Sequence, residues 1–169
     1  STNNASTWTA ATSGTIQNLN AVACGTMSGS GICVAVGANG TILYSNNAST
    51  WTVAVSGTAQ NLNAIAFGNG MFVAAGAAGA ITSSLNGTTW SAVTISANAY
   101  NAVAYGLIGS TPTFVAAGAA GQLSYNMTAS TSSVGTFVTN TVSANAYNTI
   151  AVGTVNSISA FVAVGAAGQ

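Results

Sequence analysis

No aspartate, glutamate, lysine, arginine or histidine occurs among the 169 residues of this chain. Ordinary proteins are about 25% charged, so chance would give such a chain with odds on the order of 10^-21. Three causes compete for the absence: an external medium in which charge serves nothing, a designed sequence, or residue identities assigned without a gene. Each missing residue type closes a class of function. Phosphate neutralisation needs Lys or Arg, so nucleic acid is not an expected partner. General acid–base chemistry draws on His, Asp, Glu or Lys, and Ser or Thr nucleophiles here have no base to activate them. An enzyme is therefore not expected, and neither is a cofactor or a metal site. Apolar runs are far shorter than the roughly 20 residues of a membrane-spanning helix, so no membrane span is expected. No initiator Met or signal peptide is visible, and the chain reads as processed or partial. Proline occurs once, yet Val, Ile, Phe, Tyr and Trp are plentiful and ordered in pattern, which argues against disorder.

What is present is a repeat. "LNAVACG" (19–25) returns as "LNAIAFG" (62–68), "YNAVAYG" (100–106) and "YNTIAVG" (147–153). "VAVGANG" (34–40) returns as "VAAGAAG" (73–79 and 115–121) and "VAVGAAG" (162–168). A tryptophan turn occurs at Trp8, Trp51 and Trp90, with Phe137 as its degenerate counterpart. The period of about 40–47 residues is that of a four-stranded propeller blade. Within one unit the pattern predicts strands at 63–67, 71–76, 80–84 and 89–95, with a tight "GNG" turn after the first. The "GANG" and "GAAG" segments are expected to be β-turns. Strands apolar on both faces suit sheets sandwiched between neighbours, and the many alanines allow close approach. The expected fold is all-β: one domain, 1–169, forming a β-propeller of about four four-stranded blades, either closed or a window of a larger propeller. Aligned ends that nearly complete one blade favour closure.

The segments around Ser45, Asn47, Thr50 and Trp51, and around Ser84, Asn86, Gly87, Thr89 and Trp90, resemble the BNR or Asp-box repeats of sialidase-like and photosystem-assembly-factor-like β-propellers. Asn4, Thr7 and Trp8 match more loosely. This sequence departs from the family in carrying Asn wherever the box has Asp. A turn needs that side chain to accept hydrogen bonds from backbone amides, which an amide oxygen does without charge, so a structural role is expected. The arginine cluster and acidic residues of sialidase-like catalysis are missing, as is the basic surface associated with the photosystem-assembly relative.

The repeat alignment sets Cys24 in the place of Phe67, Tyr105 and Val152, and Cys33 in the place of Phe72, Phe114 and Phe161. Those positions face each other on adjacent antiparallel strands, close enough for a disulfide, which implies an oxidising, external compartment. Two buried free thiols, or a metal held by the pair, are the alternatives. Sequons occur at Asn4, Asn39, Asn47, Asn86 and Asn126 and are candidate glycosylation sites, though about as many arise by chance in so Asn-, Ser- and Thr-rich a chain. Tyr44, Tyr100, Tyr105, Tyr125 and Tyr147 could stack on sugars, but repetition at equivalent positions points to core packing. The resulting expectation is an extracellular or cell-surface structural or adhesive protein, a self-associating subunit or domain of a filament or coat. The alternatives are a non-catalytic, lectin-like propeller holding neutral glycans, and an engineered or otherwise assigned charge-free scaffold.

Overall fold

A computed structural model describes residues 7–126 and 136–168. The chain is all-β, with no helix beyond single 3₁₀ turns among the described residues. Four units follow one another. The first holds β1 (Leu19–Met27), β2 (Ser30–Gly37), β3 (Ile42–Ser45) and β4 (Thr52–Ala54). The second holds β5 (Leu62–Gly68), β6 (Met71–Gly76), β7 (Ala80–Ser84) and β8 (Ser91–Thr94). The third holds β9 (Tyr100–Ile108), β10 (Thr111–Gly118), β11 (Gln122–Asn126) and β12 (Val138–Thr141). The fourth holds β13 (Tyr147–Val155) and β14 (Ile158–Gly165). Every sheet is an antiparallel meander in chain order.

The hairpins arise where the sequence changes from alternating Val, Ala and aromatic residues to Gly and Asn. Asn69 and Gly70 take φ of 48° and 70° between β5 and β6, a backbone that glycine and asparagine adopt most readily. After each second strand the chain makes one 3₁₀ turn, at Ala38–Gly40, Ala77–Gly79, Ala119–Gly121 and Ala166–Gly168. These are the "GANG" and "GAAG" segments. They are more specialised than the expected β-turns, because their middle residues Asn39, Ala78, Ala120 and Ala167 are left-handed. Each turn is tied back to the start of its own unit: the Ala38, Ala77, Ala119 and Ala166 amides donate to the Asn18, Asn61, Ala99 and Ala146 carbonyls.

The sheets stack in a row, with β1 against β5, β5 against β9 and β9 against β13. Val34, Val36, Ile42, Leu62, Ile65 and Phe72 fill the space between the first two sheets. Met71, Val73, Ile81, Tyr100, Phe114 and Phe137 fill the next. Two features differ from the sequence expectation. Among the described residues the fourth sheet has two strands rather than four, and the row is open rather than a ring. Residues 9–11, which align with β4, lie outside any strand, and Trp8 is 79% exposed where its counterparts Trp51 and Trp90 are half-buried. Among the described residues no third strand pairs with β14, so these residues have no ladder to join there.

Candidate functional site

The asparagine turns form as the residues dictate. Asn47 Oδ1 accepts from the Ser49 and Thr50 amides, both at 2.9 Å, and from Ser45 Oγ at 3.1 Å. Its Nδ2 donates to Thr50 Oγ1 at 3.0 Å. Asn86 repeats the set: its Oδ1 accepts from the Thr88 and Thr89 amides at 2.9 and 2.8 Å and from Ser84 Oγ at 3.1 Å. Its Nδ2 donates to Thr89 Oγ1 at 2.6 Å. Both oxygens thus bridge two backbone amides, and both amide nitrogens anchor the threonine that precedes the tryptophan. Trp90 completes the second turn by donating from Nε1 to the Gly87 carbonyl at 3.2 Å, while its ring lies 6.3 Å from that of Phe72. Phe137 stands immediately before β12, as Trp51 stands before β4 and Trp90 before β8. Asn4 lies outside the described residues.

Cys24 and Cys33 are opposed in the β1–β2 ladder and joined as a disulfide, with Cα atoms 4.0 Å apart. The same register opposes Phe67 to Phe72, Tyr105 to Phe114 and Val152 to Phe161. The cystine therefore replaces an aromatic pair such as Phe67–Phe72, whose ring centroids are 4.7 Å apart.

The sequons fall in unlike places. Asn47 and Asn86 are exposed, but their amide nitrogens are engaged in the turns. Asn39 is exposed on a 3₁₀ turn and donates to Gln17 Oε1 at 2.8 Å. Asn126 is fully buried at the end of β11 with its side chain partnered, so the folded chain does not offer it for modification. Tyr100 and Tyr147 are buried. The Tyr100 hydroxyl accepts from Gln122 Nε2 and shares a hydrogen bond with Ser124 Oγ, which in turn pairs with Thr139 Oγ1 at 2.8 Å. Among the described residues no buried side-chain nitrogen or oxygen lacks a partner.

The residues that join one unit to the next were not singled out in the sequence. Asn20 Nδ2 donates to the Leu62 carbonyl at 2.9 Å, Asn63 Nδ2 to the Tyr100 carbonyl at 2.8 Å, and Asn101 Nδ2 to the Tyr147 carbonyl at 2.7 Å. Three times, one asparagine ties a first strand to the next first strand. Beside this ladder runs a second one. A Cβ at Gly25 would strike the Phe67 ring, one at Gly68 the Tyr105 ring, and one at Gly106 the Val152 and Phe161 side chains. Each glycine is a socket for the following unit's side chain.

Both ladders stop at the ends of the row. A shallow groove of about 370 Å³, lined by Trp51, Leu19, Asn20, Val22, Ala35 and Ser13 among others, lies on the outer face of the first sheet. No helix among the described residues is long and apolar enough to cross a membrane.

No protein-family model matches this chain, and no curated protein sequence is similar to it. Among solved structures it is similar to the computationally designed Ika8 protein, at 14% identity and a TM-score of 0.56 over 86% of this chain. The match takes in 46% of that designed chain, so this chain spans less than half its length. The likeness is one of fold.

Proposed function

We propose that this chain is a structural or adhesive building block of a self-associating assembly at the cell surface or outside the cell, and that its stacked units are blades of a propeller of the BNR or Asp-box type. The observation that carries the reading is a set of unguarded strand surfaces in a charge-free chain. Sheets normally shield their edges with Lys, Glu or Pro. Here the edge strands β4, β8 and β12 carry only Thr, Val, Ala, Ser and Asn, while the end sheets expose Val22, Val162 and Val164. With no net charge, nothing repels a second copy. The disulfide supports an oxidising, external setting. The asparagine boxes support a scaffold role, since their polar atoms are occupied in holding turns rather than directed at a substrate.

Sedimentation of the purified chain over a wide concentration range tests this reading. Association that strengthens with concentration and ignores salt is expected, because there are no side-chain charges to screen. A chain that stays monomeric to millimolar concentration overturns it. The groove beside Trp51 supports the second reading, a lectin-like propeller that stacks a neutral glycan on an indole. A glycan-array signal from a monomer would favour that one.

A further inference from the structure

The inter-unit ladders have a fourth member at the open end. Asn148 stands where Asn20, Asn63 and Asn101 stand in their units, yet it is exposed and its side chain makes no hydrogen bond among the described residues. Gly153 stands where Gly25, Gly68 and Gly106 stand, and a Cβ there would meet nothing within 4 Å. The apolar face tells the same story. Val34, Val73 and Val115 are 0%, 0% and 7% exposed beneath the following unit, while their equivalent Val162 is 53% exposed. Val164 is 47% exposed, against 0% for its equivalent Val36. This face thus has the donor, the socket and the apolar floor of three interfaces that are already filled in the same molecule.

The surface that would fill it lies at the other end of the row. In those three interfaces the incoming unit offers the carbonyl of Leu62, Tyr100 or Tyr147 and a side chain from the position of Phe67, Tyr105 or Val152. The first unit has Leu19 and the Cys24–Cys33 cystine at those positions. The β1 side of its outer face is uncovered, with Val22 62% exposed where its equivalent Ile65 is 9% exposed, while Ala35 and Leu43 deeper on the same face are buried.

We infer that the β13–β14 face of one copy receives the β1 face of a second copy, head to tail. The cystine seats over Gly153, and the Asn148 amide donates to the Leu19 carbonyl. The interface is heterologous, so it propagates as a filament or closes as a ring. This rests on the self-associating reading above and names the surfaces that perform it.

Two variants test the polarity. Gly153→Arg fills the socket at an exposed site with no neighbour to displace, and Val22→Arg places a bulky charge on the opposite face. Each alone is expected to be a folded monomer under conditions where the parent chain associates, with the dissociation constant raised more than tenfold. Mixed in equal amounts, they are expected to form a dimer and nothing larger, because each keeps one live face. That dimer also proves both variants folded. If both variants assemble as the parent does, the inference fails while self-association through other edges stands. If either variant alone still dimerises, head-to-tail polarity fails. If the parent chain is monomeric throughout, both readings fall.

Discussion

The ring of Phe67 occupies the space that a Cβ on Gly25 would need. The same relationship links Gly68 to Tyr105. It explains why each first strand carries a glycine although glycine weakens a strand. The atom that clashes at Gly68 is the root of the tyrosine ring, which cannot swing aside without moving its own strand. Gly68→Ala is therefore expected to destabilise the chain by about 2 kcal/mol, the cost of overpacking a filled site. In a domain of this size that lowers Tm by roughly 4–8 °C. Gly153→Ala, with no neighbour, is expected to change monomer stability by less than about 0.5 kcal/mol. Paired thermal melts decide the matter, and equal losses at the two sites would refute the socket.

The 3₁₀ turns yield a prediction of opposite sign. Ala78 is exposed and left-handed, at φ 48°, where a Cβ costs about 1–2 kcal/mol. Part of that relief is offset by the greater freedom glycine has when unfolded. Ala78→Gly is expected to stabilise by about 0.5–1 kcal/mol. Ala74→Gly, in the buried centre of β6, is expected to destabilise instead. Urea titrations of the two variants check the pair of signs.

Much of this architecture was legible in the sequence. The strands of the second unit fall within a residue or two of their expected positions, because Gly and Asn bound each apolar run. The cystine was legible for a different reason: three other copies showed which positions oppose each other. The inter-unit ladders were not read, though their signal was present. An asparagine near the start of each of the four first strands, and a glycine five residues after it, serve no purpose within a single sheet. A single unit does not show what its asparagine bonds to, since the acceptor lies about forty residues further along the chain. The open ends were equally hidden. A repeat that nearly completes its own cycle suggests closure, but closure depends on the angle between sheets, which side-chain volumes set and the repeat pattern does not express.

Removing the disulfide tests how much stability it supplies. The bridge spans nine residues, and a loop of that size accounts for about 2–3 kcal/mol by the chain-entropy argument. Cys24→Ser combined with Cys33→Ser is expected to lose that much. Peptide mapping of the parent chain should find neither cysteine alkylated before reduction. Alkylation of both without reductant would contradict the bridge.

Acid should leave this protein largely indifferent. Stability varies with pH only where folded and unfolded chains bind different numbers of protons. Acid denaturation elsewhere comes mostly from protonating paired carboxylates, and this chain has no carboxylate side chain and no histidine. Both cysteines are tied in the disulfide, and phenols ordinarily ionise near pH 10. The unfolding midpoint is therefore expected to stay flat from about pH 2 to pH 8. Asn86→Asp supplies the contrast. A carboxylate accepting from the Thr88 and Thr89 amides is held below its ordinary range, because those bonds favour the charged form. The folded state then binds its proton less readily than the unfolded state. The resulting stability is present above the ordinary aspartate range near 4 and is lost as pH falls through the depressed value. Melts across pH should show a flat parent and a variant that weakens in acid. A parent midpoint that moves by more than a few degrees around pH 4 would mean that real carboxylates stand where the sequence has amides.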